Sequence, residues 1–527
     1  MVFGVMAGFL QKTSDWLRGR RGWGRLGIAF LFGALASFGF APYNLVFLLW
    51  LSFPALVFLL QGVSDWRRAF ATGWWFAFGL MVFSLYWIAG CLFVDIKTFW
   101  WALLPAIAGL PACFSLYYAI AAALAWRWGV KRIDGILFLG LAWFLADYAR
   151  GTLFTGFPWD LMGYVWSSSL PVLQIASVAG IYGLTLLTLL FAVAPACLLV
   201  PERKKEARIL FGGFCCLFLG MALWGGWRVS ETKRSFVQGA RVRLVQEGVP
   251  ERARWNRAER DERFEKLLDL SFGPAEKPVS LVVWPESATS FYLEEDAIHR
   301  GEIAARMTPG SKLITGLVRH DFPPSGEIAY YNALMVMDDK ADILASYDKA
   351  HLVPFGEYMP FRSLVGHGAI AGMGSDFSAG PGPRTLHVSG LPPFSPLICY
   401  EAIFPGDAVD GKDPPRLMVN ITDDAWYQYT TGPDQHFAIA RVRAIETGLP
   451  LIRVADMGTN AVVDGVGRIV AERASDEAGF IDSDLPEPLE AQTLFARNGN
   501  SISDGMILFV ALLLALARFR AARKSET

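Results

Sequence analysis

The sequence predicts a multi-pass α-helical membrane protein of about eight spans, carrying one large inserted domain built on buried strands. Three observations lead there. Of 527 residues, 53% are hydrophobic and 18% charged, against about 45–50% and about 25% in ordinary soluble domains. Apolar residues crowd the front of the chain and return at its very end, leaving ordinary composition over 230–503. Lys and Arg fall in alternate short loops, as they do when one set of loops faces the cytoplasm. The same figures exclude other classes. A net charge of −1 offers no basic domain for nucleic acid. Apolar content this high is not that of a disordered chain. Six cysteines without a glycine period suit neither a disulfide scaffold nor collagen.

Taken in order, segments near 26–43, 45–61, 69–92, 98–125, 134–149, 170–199 and 208–227 are each apolar enough to span, and a last one lies near 505–517. The first two meet at Pro42-Tyr43-Asn44 as a hairpin. Residues 1–11 are too short to cross and read as an interfacial segment. Trp74-Trp75 and Trp100-Trp101 read as interfacial anchors. Lys12, Arg18, Arg20, Arg21 and Arg25 precede the first span. Alternate connections then carry Arg67 and Arg68, next Arg127, Lys131 and Arg132, then Arg203, Lys204, Lys205 and Arg208. The tail adds Arg518, Arg520, Arg523 and Lys524, while the opposite loops hold only Lys97 and Arg150. Both termini are therefore expected in the cytoplasm. The expected domains are 1–229 in the membrane with about seven helices, 230–503 outside the cytoplasm, and 504–527 as last helix and tail. A rival reading takes LGIAFLFGALA and Ala34-Leu35-Ala36 for a cleavable signal. Cleavage would break the charge alternation.

Cys91, Cys113, Cys197, Cys215 and Cys216 fall inside predicted spans, which leaves Cys399 as the lone thiol of 230–503. It has no partner for a disulfide there, so it is either a buried filler or a nucleophile. Its neighbours favour the second. PFSPLICYEAIFP is a short buried strand broken at Tyr400-Glu401; LVVWPESATS is another, ending at Pro285-Glu286-Ser287. ILASYDKAHLVPFGEYMPF runs into Asp348-Lys349-Ala350-His351. Glu286, Lys349 and Cys399 thus each follow a strand end, where side chains from different strands of a sheet converge. Singly, each has a plain reading as a turn residue. Together they suit acyl chemistry. A thiol of pKa about 8.5 needs a base, which Glu286 supplies if burial makes it basic enough. Lys349 can donate to the oxyanion.

These stretches also resemble a known family. WPES, YDKAHLVPFGEYMP, ICYEAIFP and NITDDAW, in this order, are similar to the nitrilase (carbon–nitrogen hydrolase) superfamily with its Glu-Lys-Cys triad. The resemblance implies an α-β-β-α sandwich for 230–503. With this membrane topology the chain resembles the apolipoprotein N-acyltransferase family. RGTLFTGFPWDLMGY (150–164) is similar to that family's membrane signature, and residues 432–469 to its C-terminal block. By the resemblance Glu286 is the general base, Lys349 the oxyanion donor and Cys399 the nucleophile. Glu357 matches a supporting glutamate, Tyr400 and Glu401 match residues beside the nucleophile, and Trp255 matches a loop tryptophan over the site. The chain departs from the pattern at Asp423 (usually Asn), at Tyr427-Gln428 (usually Phe-Gly) and at Asp456 (commonly Asn or Thr).

What the resemblance implies is a two-step transfer in the bacterial inner membrane, on its periplasmic side. Cys399 takes an acyl chain from a phospholipid, phosphatidylethanolamine being the usual donor. The α-amino group of a diacylglyceryl-cysteine apolipoprotein then takes it from the thioester. Both substrates stay in lipid, since leaving costs about 0.8 kcal/mol per CH₂, so the cleft is expected at the bilayer surface. Residues 352–380 mix Phe355, Phe361, Leu364, Val365, Ile370, Met373 and Phe377 with glycines. Two readings stand: a buried irregular loop, or a mobile apolar arm reaching lipid. Arg150 and Asp160 read either as head-group contacts or as a structural pair.

The six histidines (His299, His320, His351, His367, His387 and His436) lie in the inserted domain without metal-ligand spacing. Neither a metal nor a nucleotide cofactor is expected, and the chain is expected to be a monomer. A Cys-His dyad through His351 or His436 is the minor alternative to the triad. Two other functions compete with the transferase: a membrane-tethered amidase that passes the acyl group to water, and a catalytically silent membrane scaffold.

Overall fold

The computed structural model describes residues 2–250, 257–322, 326, 328–360 and 376–526. Internal packing divides the chain into two compact units. One comprises Met1–Ala89, Trp100–Glu231 and Arg497–Thr527; the other comprises Gly90–Phe99 and Thr232–Ala496.

The first unit is helical: α1 (Val2–Arg18), α2 (Gly22–Ser37), α3 (Leu49–Gln61), α4 (Trp66–Leu85), α5 (Leu110–Trp128), α6 (Ile133–Thr152), α7 (Ala176–Cys197) and α8 (Lys204–Glu231). Every segment read as a span is helical, but the count of about eight crossings is not reached by length and composition. Among the described residues, the stretches long and apolar enough to cross are Trp66–Ala102, Pro105–Trp128, Ala176–Cys197, Lys204–Glu231 and Ser501–Ala521. The others fall short for visible reasons. Helix α2 stops at Ser37 because the approach to Pro42 disfavours the helical backbone. Helix α3 spans only 13 residues. Helix α6 carries Asp134, Asp147 and Arg150 among its apolar residues. The long run 170–199 is also broken: Gly180, at φ 64° and ψ 177°, interrupts α7.

Arg150 does not reach outward. It is 2% exposed, pairs with Asp147 at 3.2 Å, and donates to Tyr118 Oη at 2.8 Å. It also donates to the carbonyls of Phe157 and Trp159, each at 2.7 Å. The structural pair foreseen with Asp160 is therefore a pair with Asp147, and Arg150 pins the 153–161 loop by its backbone. The interfacial segment falls, from Val2 on, in a helix that runs to Arg18, whose Nε donates to Gln61 Oε1 at 2.8 Å.

The second unit has two sheets among the described residues. The strands are β1 (Phe236–Gln246), β2 (Leu281–Val283), β3 (Lys312–Asp321), β4 (Ala329–Asp338), β5 (Ile343–Asp348), β6 (Phe394–Ile398), β7 (Leu417–Asp423), β8 (Leu451–Asp456), β9 (Gly458–Val463), β10 (Ile469–Ser475) and β11 (Gly479–Pro486). Sheet order is β11-β1-β2-β3-β4-β5 and β10-β9-β8-β7-β6. The strands β1-β2-β3 and β6-β7-β8 run parallel.

Alternation along these strands builds the layers. Val283, Ile314, Ile398 and Val419 share one buried cluster between the sheets. Their chain neighbours Val282 and Leu313 face outward under α9 (Arg260–Phe272) and α10 (Ala297–Arg306), against Leu267 and Ile303. Leu397 and Met418 likewise meet Ala440 and Ala444 of α11 (Gly432–Thr447). The result is the helix–sheet–sheet–helix order that the family resemblance implies. A last helix, α12 (Ser501–Glu526), returns to the first unit.

Candidate active site

Glu286, Lys349 and Cys399 follow the C-terminal ends of β2, β5 and β6, and the sandwich draws them together. Lys349 is 1% exposed, and its Nζ lies 2.9 Å from Glu357 Oε1 and 3.6 Å from Glu286 Oε1. Cys399 is partly exposed and feels both Glu286 and Lys349 electrostatically. Burial, then the Glu286 charge, push its thiol well above the ordinary value, with Lys349 pulling it down. Burial alone would lower the Lys349 ammonium; Glu357 and Glu286 outweigh it and hold it above its ordinary value. At neutral pH the site therefore contains a neutral thiol beside a charged ammonium.

Local backbone sets each group. The Pro285 turn leans on β3, where Gly316 N donates to Pro285 O at 3.1 Å. A Cβ on Gly316 would stand 2.5 Å from Glu286 Cα, so this crossing admits only glycine. Lys349 N donates to Asn332 O on β4 at 2.8 Å. Cys399 sits at φ 50°, in the left-handed region that non-glycine residues visit rarely. It opens a 3₁₀ turn, Cys399–Ile403.

The supporting residues have distinct placements. Glu357 Oε2 accepts from Val353 N at 2.7 Å, which fixes the loop after β5. Glu401, 6% exposed, ties two strand ends together. Its Oε2 accepts from Ile398 N at 2.8 Å, and its Oε1 from Tyr347 Oη at 2.7 Å and Ala350 N at 2.8 Å. Burial pushes its carboxyl up, against those same donors. Tyr400 is buried edge-on to Phe404, 5.0 Å between ring centroids. Trp255 lies outside the described residues, as do His367 and, in the apolar arm, Phe361, Leu364, Val365, Ile370 and Met373. The arm's described ends are anchored at the site: Phe377 N donates to Glu357 O at 2.8 Å, and Ser378 N to Tyr330 O at 2.7 Å.

Sequence reasoning missed Asn332. Its Nδ2 donates to Glu286 Oε1 at 2.7 Å and to Glu357 Oε1 at 2.8 Å, linking the two carboxylates that flank Lys349. The available signal was an amide among the buried residues of ALMVM on β4. It missed a second network behind Cys399 as well. There Asp424, His436, Arg453 and Tyr427 are all buried, and His436 Nε2 lies 3.2 Å from the Cys399 carbonyl. Of the two histidines of the dyad alternative, His436 meets that carbonyl, and the His351 ring stacks on Phe404 with centroids 3.8 Å apart. Among the described residues, no group of three or more His, Cys, Asp or Glu side chains is disposed to hold a metal ion.

Comparison with known proteins places the chain. Residues 32–194 match the apolipoprotein N-acyltransferase N-terminal domain, and residues 241–492 match the carbon-nitrogen hydrolase domain. The apolipoprotein N-acyltransferase of Rhodopseudomonas palustris is 39% identical, covering 97% of this chain and 98% of the relative. The chain belongs to the apolipoprotein N-acyltransferase family. The apolipoprotein N-acyltransferase of Bradyrhizobium diazoefficiens is 38% identical, covering 95% of this chain and 96% of its own length. A solved amidase from Nesterenkonia sp. superposes with a TM-score of 0.34 at 22% identity, over 48% of this chain and 92% of that one. Within the apolipoprotein N-acyltransferase pattern, the departure at Asp423 is chemically mild. What meets Glu286 Oε2 there is the Asp423 backbone N–H, at 2.9 Å, which Asn would present equally. Asp456 accepts from Gly248 N at 2.8 Å through Oδ1, an atom that Asn also has.

Proposed function

We propose that Glu286, Lys349 and Cys399 are the general base, oxyanion donor and nucleophile of a phospholipid:apolipoprotein N-acyltransferase. The enzyme class follows from family membership; the roles rest on chemistry. The observation that carries them is the shared position past β2, β5 and β6, with Lys349 between two glutamates. Lys349 is hydrogen-bonded to Glu357, which leaves Glu286 as the carboxylate that receives a proton. In the first step the Cys399 proton passes to Glu286, and Sγ bonds to the ester carbonyl carbon of a phospholipid. Lys349 donates to the oxyanion. The carbon–oxygen bond breaks, and the lysophospholipid alkoxide takes the proton back from Glu286. In the second step the α-amine of a diacylglyceryl-cysteine attacks the thioester, Glu286 takes the amine proton, and the thiolate leaves and recovers it. Glu357 and Glu401 hold the ammonium and the nucleophile's strand, Tyr400 packs beside it, and Trp255 keeps the substrate-loop role that the family resemblance implies.

The setting we propose is the bacterial inner membrane, with 1–229 and 504–527 supplying about eight crossings, and 230–503 in the periplasm. The donor is phosphatidylethanolamine, and the working form is a monomer. Mass spectrometry of the protein purified from membranes tests the central role. An acyl adduct on the peptide containing Cys399, discharged by a diacylglyceryl peptide into N-acylated product, is expected. Discharge to free fatty acid alone would assign a hydrolase instead. An adduct that persists in Cys399→Ser at another residue would refute the nucleophile.

A further inference from the structure

The nucleophile's peptide is held from both sides, and only one of the holders belongs to the triad's known company. Ahead of Cys399, Ile398 N donates to Glu401 Oε2 at 2.8 Å. Behind it, the Cys399 carbonyl faces His436 Nε2 at 3.2 Å. A carbonyl has no proton to give, so Nε2 is the donor and the tautomer is fixed. The opposite ring nitrogen, Nδ1, is enclosed by Arg453 Nη2 at 3.2 Å, Tyr427 Oη at 3.0 Å and Asp424 Oδ1 at 3.1 Å.

Those partners are themselves immobilised. Arg453 Nη2 donates to Asp424 Oδ2 at 2.7 Å, Tyr427 Oη to Asp424 Oδ1 at 2.8 Å, and Thr422 Oγ1 to the same oxygen at 3.1 Å. His436 is 1% exposed, Asp424 and Arg453 0%. Even the backbone is fitted around the pair: a Cβ on Gly458 would lie 2.6 Å from Asp424 Oδ2.

We propose that His436 is a positioning residue for the acylation step. Held at Nδ1 by Arg453, which Asp424 anchors in turn, it donates to the Cys399 carbonyl and keeps the nucleophile in its left-handed backbone. The reasoning rests on the proposed role of Cys399. A non-glycine residue at φ 50° persists only where its surroundings over-determine it, and a buried charge-supported hydrogen bond is such a constraint. Charge balance supports the assignment. Burial and then Arg453 push the His436 ring down towards its neutral form, against Asp424. Burial would raise Asp424, but Arg453 and His436 hold it at about 2. Arg453 thus answers the Asp424 charge, and the neutral ring adds none beside the thiol. Tyr427, which stands where the family usually has Phe, contributes a hydroxyl that Phe lacks.

The test pairs two substitutions of similar size. His436→Gln keeps an N–H within reach of the carbonyl, and His436→Met has none. Single-turnover thioester formation is measured on full-length protein in phosphatidylethanolamine vesicles, with KM for the lipid taken separately. Expected is a loss of about 10²-fold in the acylation rate for Met and recovery to within about tenfold for Gln, with KM unchanged in both. Equal rates in the two folded variants would overturn the proposal. So would a loss confined to KM. If the Met variant does not fold, Asp424→Asn replaces it: the ring loses its fixed orientation, and the rate falls at least tenfold at constant KM. An unchanged rate there overturns the proposal equally. Cys399→Ser run alongside separates the two readings: an adduct surviving there at another residue defeats the nucleophile and the role of His436 with it, whereas equal rates in the Gln and Met variants with no such adduct defeat the role of His436 alone.

Discussion

Glu286 acts on Cys399 in two opposed ways. Its charge is, after burial, the strongest influence raising the thiol, yet the transfer needs that same carboxylate to take the proton. Glu286→Gln separates the effects. Without the charge the thiol pKa falls, so more thiolate is present at pH 8 and iodoacetamide alkylates Cys399 several-fold faster. Thioester formation meanwhile drops by at least about 10²-fold, because no base remains. Peptide mass spectrometry reads both rates on one sample, and alkylation slowing together with acylation would sink the account. The sign for the wild type follows: a raised thiol stays protonated past the ordinary value of about 8.5, so alkylation keeps climbing with pH through that point. Asn332→Ala removes the donor shared by Glu286 and Glu357. A loss of about 10-fold or more in acylation with little change in KM is expected, from kinetics on vesicles. At this scale the triad could be picked out as candidates because each member stands just past an apolar strand, though a polar residue there also suits a turn, and the roles came from the resemblance. Asn332 and His436 could not. Asn332 opens the buried run of β4, away from a strand end, and His436 lies inside a helix, where a polar side chain draws no attention from the pattern.

The elements show which local rules override the pattern. Gly316 sits in mid-strand, where glycine weakens a strand, and the reason is the turn it admits: a Cβ would come within 2.6 Å of Pro285 O. Gly316→Ala is expected to displace Glu286, cutting acylation by about 10²-fold and costing about 1–3 kcal/mol through overpacking. Gly411→Ala, whose Cβ would meet nothing within 4 Å, serves as the control, and thermal unfolding with single-turnover rates compares the two. Equal behaviour of the variants would remove the close-approach argument. The helices teach the complementary lesson. Hydropathy located α2, α3 and α6, yet none reaches crossing length and apolarity. Helix α6 spends polarity on the Asp147–Arg150 pair, which organises a loop by its carbonyls. A window average cannot distinguish a charge buried for packing from one exposed to water. The layered sandwich was anticipated through the family resemblance rather than from strand pattern, since the strands read as short continuous apolar runs that do not by themselves assign inner and outer faces.

At the scale of the whole molecule, the chain's charge pattern makes a claim that packing does not address: which side of the membrane each short loop occupies. Ser64 lies between α3 and α4, just ahead of Arg67 and Arg68 in the first turn of α4, and Glu276 belongs to the second unit. Both Ser64 and Glu276 are exposed. In a background with the native cysteines changed to alanine, Ser64→Cys and Glu276→Cys are labelled with a membrane-impermeant maleimide. In whole cells with a permeable outer membrane, Glu276→Cys is expected to react and Ser64→Cys to stay silent until the inner membrane is opened. The reverse pattern would invert the proposed topology and put the thiol on the cytoplasmic side. Replacing Cys215 alone is a further check on the division of labour. It is exposed on α8 and belongs to the first unit, so Cys215→Ala should leave both half-reactions within about twofold of wild type, as an isolated surface change does. A large loss would mean that the acyl chemistry draws on a second thiol. The argument from a single nucleophile would then fail at the level of the molecule, even with Cys399 correctly placed.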